Sequence, residues 1–168
     1  MRAETLFLVF TYGVAPAWAL LVFAPRWKWT QRIVHAVVIP VMLALAHLGF
    51  MLFAAAPPEG ASAATLEGAM RLFQEPWTAL VCWIHYLVFD LFVGAWVVRD
   101  AIRRKVPHLA VAPCVLLTYL YGPQGMLLYF IVRFISRRVL TMDEATGSTS
   151  AAALPSEETP VSGRLVKV

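Results

Sequence analysis

Four long apolar stretches, near positions 5 to 24, 33 to 56, 76 to 98 and 109 to 135, dominate the pattern of this chain. Each approaches or exceeds the ~20 residues a helix needs to cross ~30 Å of hydrocarbon at ~1.5 Å per residue. The pattern therefore predicts an all-α, polytopic membrane protein built as a four-transmembrane-helix bundle. The first run reads as a helix rather than a signal peptide, because it is long, Arg2 and Glu4 cancel in front of it, and no small-residue cleavage site follows. Residues 57 to 75 open on Pro57-Pro58 and carry three glutamates, which predicts a polar loop with a short surface helix from Thr65 to Phe73. From Thr141 onward the chain offers Ser, Thr, Ala, Pro and Glu with almost nothing to bury. A disordered tail over 141 to 168 is expected after a single domain over 1 to 140.

Composition agrees with the pattern. Of 168 residues, 60% are hydrophobic and 14% charged, against roughly 45–50% and about 25% in soluble domains. A soluble enzyme, a disordered chain and a disulfide-stapled module are excluded. The net charge of +4 does not mark a nucleic-acid binder, since the basic residues sit in clusters between the apolar runs. Arg26, Lys28 and Arg32 form one cluster and Arg99, Arg103, Arg104 and Lys105 another, whereas the 57 to 75 loop holds only Arg71. Lys and Arg in short loops stay cytoplasmic, which puts loops 25 to 32 and 99 to 108 inside and both termini outside. Arg133, Arg137 and Arg138 conflict with that scheme. Two forms of the fourth segment are open: a single span, which is the simpler one, or a segment that breaks at Tyr121-Gly122-Pro123-Gln124-Gly125 and turns back, which removes the conflict.

Ionisable groups in hydrocarbon cost at least a few kcal/mol, so each needs a partner or a role. Counted from the basic side at ~1.5 Å per residue, His47 in the second segment and His85 in the third both lie near 20 Å deep, and Asp90 near 12 Å. Tyr12 and Tyr119 fall between. A polar cavity ringed by Tyr12, His47, His85, Tyr86, Asp90 and Tyr119 is geometrically possible, although His85 and Asp90 stand about 140° apart around their helix. Asp100 and His108 belong to the interface, where arginines surround them. His35 sits at the basic end of its helix and reads best as an interhelical tie. Pro123 lacks an N–H and frees the Tyr119 carbonyl at mid-depth, and irregular backbone there commonly marks a binding site, so Pro123 and Gly125 join the candidate substrate contacts. Cys82 and Cys114 lie in apolar segments and read as small buried hydrophobes. No nucleotide, phosphate or hydrolase motif is present.

The run Trp83-Ile84-His85-Tyr86-Leu87-Val88-Phe89-Asp90-Leu91-Phe92-Val93-Gly94, with Asp100-Ala101, Pro107-His108, Pro113-Cys114 and Gly122-Pro123-Gln124-Gly125, resembles the small membrane-protein family typified by plant neoxanthin synthase and named for abscisic-acid deficiency. Ala24-Pro25-Arg26-Trp27 and Leu66-Glu67-Gly68 to Leu72-Phe73 are similar to it as well. The likeness covers most of residues 18 to 135 and is nearer to the bacterial branch. It implies a role in carotenoid or related isoprenoid metabolism. Plant members are linked to converting the epoxide end group of violaxanthin into the allene of neoxanthin. The matching positions are His85, Asp90, Asp100, His108, Pro123 and Gly125, while His47 rests on depth alone. With no transit peptide ahead of the first run, a bacterial cytoplasmic membrane is the expected location.

Epoxide-to-allene isomerisation is redox-neutral and needs one group to protonate the epoxide oxygen and another to take a proton from the adjacent carbon. His85 and Asp90 are the candidate pair for a lipid-embedded carotenoid, with no cofactor required. Three rivals stay open. One is a metal enzyme with ligands from His47, His85, Asp90 and His108. Another is a non-enzymatic carotenoid- or lipid-binding scaffold, and the third a proton or small-ion carrier, which lacks a relay of carboxylates. The oligomeric state is not legible.

Overall fold

The structure is a computed structural model that describes residues 2–36, 38–53 and 57–142. The expected tail from 143 onward lies outside the described residues, as do 54 to 56 at the end of the second apolar run. Eight helices are present among the described residues: α1 (Ala3–Gly13), α2 (Ala15–Phe23), α3 (Lys28–Ile33), α4 (Val38–Phe53), α5 (Leu66–Gln74), α6 (Pro76–Arg103), α7 (His108–Tyr121) and α8 (Pro123–Arg137).

The first apolar run is one span in two pieces. Pro16 has no N–H to offer the preceding turn, so the helical ladder lapses and restarts, with Trp18 N–H bonding to the Val14 carbonyl at 3.2 Å. Ala3–Phe23 together make a predominantly apolar stretch of 21 residues. The second run differs from its expected bounds: α3 starts at Lys28, a bend over 34–36 follows, and α4 begins at Val38. Thr30 Oγ1 ties the intervening turn to the Ala24 carbonyl at 2.7 Å. The Thr65 hydroxyl caps α5 by accepting from Gly68 N–H at 3.1 Å. The Glu75 carboxylate caps α6 by accepting from Thr78 N–H at 2.6 Å, just ahead of Pro76 in the first turn.

Helix α6 is the axis of the molecule. Its 28 residues reach five past the expected end at 98, a length of about 42 Å. It packs against α1, α2, α4, α5, α7 and α8, and Ile84, Leu91, Val97 and Val98 are buried along it. Gly94 is required by close approach, since a Cβ there would lie 2.6 Å from the Trp18 ring.

The fourth segment is not one continuous helix. Gly122 ends α7 with φ 57°, a left-handed backbone that disfavours any side chain, and Pro123 starts α8 in a new direction. Gly125 then lies so close to the Thr118 amide and hydroxyl and the Cys114 carbonyl that a methyl group does not fit. α7 and α8 pack along each other as a helical hairpin. At 14 and 15 residues they are about 21 and 22 Å long, short of a ~30 Å core. Trp96 meets Tyr129 and Phe130 on the way back, and Arg137 donates to the Lys105 carbonyl at the end.

Arg133 and Arg137 therefore finish beside Arg103, Arg104 and Lys105, and the charge conflict disappears. Three helices are long and apolar enough to cross a membrane, so four spans are not shown, and the fourth segment forms the α7–α8 hairpin. The described chain ends beside the arginine-rich end of α6, where Arg104 and Arg133 donate to the Thr141 carbonyl.

Helix α5 sits at the other end of α6. Leu66, Met70 and Phe73 form one exposed apolar stripe, Gly68 is buried, and Glu67 and Arg71 pair at 2.7 Å on a third face. Such a three-way division suits a helix lying between protein, lipid and water.

Candidate functional site

The six residues expected to ring one cavity do not fall in one place. His47 and His85 come together. Their ring centroids are 5.6 Å apart across the α4–α6 contact, and both line a groove of about 840 Å³ with Met51, Thr78, Val81 and Cys82. The register follows from α4 running antiparallel to α6, which also brings Phe50 within 6.2 Å of Trp77.

The two imidazoles are held differently. His47 Nδ1 is 3.1 Å from the Val81 carbonyl. A carbonyl only accepts, so Nδ1 carries the proton and Nε2 keeps its lone pair. His85 is exposed on the flank of the helices, against Phe89 at 4.6 Å, and no hydrogen bond reaches its ring among the described residues.

Asp90 is elsewhere. It lies where the hairpin turns, so that a Cβ on Gly122 would be 2.7 Å from Oδ1. Tyr86, one turn earlier on α6, faces its carboxyl group, and Oδ2 is buried with no hydrogen-bond partner. Tyr86 itself stacks on Trp83 with centroids 5.3 Å apart. The structure thus does not bring His85 and Asp90 to one place; they look out from opposite flanks of α6, as their ~140° separation requires.

Tyr12 is 70% exposed on α1, away from both histidines, and Tyr119 packs on Trp18 at 5.3 Å. Pro123 is exposed at the hairpin tip, and Gly125 is buried inside the hairpin, where its role is close packing.

Asp100 and His108 part company. Because α6 continues to Arg103, Asp100 points inward and is 1% exposed. It accepts from Tyr129 Oη at 2.7 Å, Arg133 Nη1 at 2.9 Å, Arg103 Nη2 at 2.8 Å and Arg104 Nε at 2.9 Å. Arg133 is wholly buried and also donates to the carbonyls of Val139 and Thr141. His108 instead bonds through Nε2 to the Val22 carbonyl at 2.7 Å, tying α7 to α2. His35 is buried, with neither ring nitrogen in good hydrogen-bond geometry and the Pro25 backbone as the polar group near it.

No group of three or more His, Cys, Asp and Glu among the described residues could hold a metal ion. The set His47, His85, Asp90 and His108 is spread over three separate locations and provides no ligand shell.

Sequence reasoning missed Tyr129 and Arg133 as partners of Asp100. Their spacing of four, with Arg133 inside Leu127-Leu128-Tyr129-Phe130-Ile131-Val132-Arg133-Phe134, was the available signal. It also missed a second groove, of about 600 Å³, which runs between α1 and α6. Its walls are mostly hydrocarbon, so no polar pattern announced it.

A model of the ABA DEFICIENT 4-like family matches residues 5–129. The protein ABA DEFICIENT 4, chloroplastic, of Arabidopsis thaliana is 26% identical over 142 residues, covering 79% of this chain and 62% of that protein. The chain thus spans less than two thirds of that relative's length. No solved structure matches it.

Proposed function

Since the chain belongs to the ABA DEFICIENT 4-like family, we propose that it acts in carotenoid or related isoprenoid metabolism, admitting an apolar substrate sideways from the bilayer into the α4–α6 groove. The observation that carries this reading is the His47–His85 pair. An imidazole on the lipid-facing flank of a span costs free energy that packing does not return. His47 repays part of it through Val81, whereas His85 does not, which is what a group waiting for a polar substrate end would look like. By the charge rule the arginine-rich end faces the cytoplasm, and a bacterial cytoplasmic membrane fits that orientation.

The finer reading is a redox-neutral isomerisation of an epoxide end group to an allene. His85, carrying a proton, gives it to the epoxide oxygen as the C–O bond breaks. His47 Nε2 takes the proton leaving the adjacent polyene carbon, and the electron pair of that C–H bond becomes the new double bond. Passing the proton from His47 to His85 resets the pair, with no net change in atoms or electrons. The earlier pairing of His85 with Asp90 would require one end group to reach around about 140° of α6. His85 with His47 requires no such reach. Asp90 then holds the hairpin turn in place.

The test is conversion of an epoxy-xanthophyll by the protein in reconstituted vesicles, read by chromatography and mass spectrometry. A product of unchanged mass is expected. His85→Ala and His47→Ala should reduce it by roughly 100-fold or more, the scale of a lost acid or base, and Asp90→Asn should retain most of it. If His85→Ala converts as well as the parent, the acid–base reading is wrong. Pigment bound but never altered would make the protein a carrier scaffold.

A further inference from the structure

The two grooves on the outer half of α6 share residues. The histidine groove and the α1–α6 groove both include Phe73 of α5 and Cys82 of α6. Around α6, at ~100° per residue, His85 stands about 60° to one side of Cys82, while Tyr86 and Trp83 stand about 40° and 100° to the other. Cys82 is thus the part of α6 that the two troughs share, a small side chain between His85 on one side and Tyr86 on the other, and Phe73 of α5 lines both troughs with it.

The far trough has its own chemistry. Phe7 and Leu8 of α1 and Ala79, Leu80 and Trp83 of α6 form its walls, with Glu4 and Tyr86 among the few polar groups. Trp83 is pinned by its Nε1–H donating to Thr11 Oγ1 at 2.8 Å and by Phe7, whose ring centroid is 5.0 Å away. The wall is therefore pre-formed, which favours an extended apolar chain over a compact polar ligand.

We infer that the α1–α6 groove is a second subsite, which holds the chain of the same molecule whose polar end lies between His47 and His85, the chain crossing α6 over Cys82 beneath Phe73. This rests on the proposed function and names the shape of substrate it takes: a polar end group on a long, extended hydrocarbon. Cys82, Ala79 and Phe73 then select for chain length, and the histidines act on the end group.

Two probes separate the parts: a full-length epoxy-xanthophyll and a truncated analogue that keeps the epoxidised ring with only the first few chain carbons. Retention of each on the purified protein is measured by chromatography. Ala79→Trp fills the second groove from α6, and Leu8→Trp fills it independently from α1, so a folding defect in one does not decide the matter. Both variants should hold the full-length probe at least tenfold more weakly and the truncated probe as the parent does.

Unchanged retention of the full-length probe in Ala79→Trp and Leu8→Trp would overturn the inference and leave the groove to lipid acyl chains. Equal loss of both probes would overturn it too, since the grooves would then not be separate subsites. Conversion by the parent is read separately: if the parent holds both probes but alters neither, the chemistry fails and the chain subsite stands, so the two failures are not confused.

Discussion

The two ends of α6 treat polar groups in opposite ways. At the arginine-rich end, one buried carboxylate is saturated: Asp100 meets Tyr129, Arg133, Arg103 and Arg104, all within 2.9 Å. At the outer half, His85 has no hydrogen-bond partner among the described residues and opens onto a groove. A satisfied network fixes geometry, here by locking the hairpin to the end of α6. An unsatisfied group weakens the fold and is kept only where something else uses it. Burial of charge alone would have ranked Asp100 as the reactive site, and its complete set of partners argues against that.

The largest effect is expected where the network is broken. Asp100→Ala leaves the wholly buried Arg133 without its carboxylate, which should cost about 3–5 kcal/mol. Thermal unfolding in detergent micelles measures it. A loss under about 1 kcal/mol would mean that the cluster is not what closes this end. Next comes the hairpin itself. Gly125→Val pushes a branched side chain into the Thr118 amide and the Cys114 carbonyl and should cost about 1–3 kcal/mol by overpacking. If Gly125→Val melts as the parent does, α7 and α8 are not closely packed there.

The outer end should respond more weakly. Thr65→Ala removes the cap of α5 and should cost about 1 kcal/mol, confined to α5. Faster proteolysis between residues 57 and 75 with an unchanged overall melt is the expected signature. A fall in the overall melt would show that α5 belongs to the same cooperative unit as the hairpin.

Much of this contrast was legible in the sequence, and the rest was hidden for physical reasons. Apolar run length gave three long helices, and the expected start at 76 and the short helix from Thr65 to Phe73 match α6 and α5, because both begin where polarity changes along the chain. The arginines after position 132 announced the hairpin, since charge placement follows topology. Run length pointed the other way: 109 to 135 is long enough for one span, and only the turn at Gly122 divides it. The site was harder. Depth counting placed His47 and His85 level, which the helix register reproduces. Depth says nothing about direction, so Asp90, Tyr12 and Tyr119 were gathered into a ring that the helix faces separate. Helix α6 ends five residues beyond 98, because a basic cluster marks the membrane boundary and not the end of the helix; Asp100, expected at the interface among arginines, meets Arg103, Arg104 and Arg133 there.

The smallest stability effect sharpens the comparison most. His85 makes no hydrogen bond among the described residues, is exposed, and has only Phe89 and His47 against its ring. Its replacement by alanine leaves no buried group unpaired and no cavity in the core. His85→Ala should therefore shift stability by no more than about 0.5 kcal/mol. His47→Ala should cost more than His85→Ala, because it removes the bond from Nδ1–H to the Val81 carbonyl. If His85→Ala is instead as damaging as Asp100→Ala, His85 is part of the scaffold, and the argument from its missing partners to a waiting substrate fails.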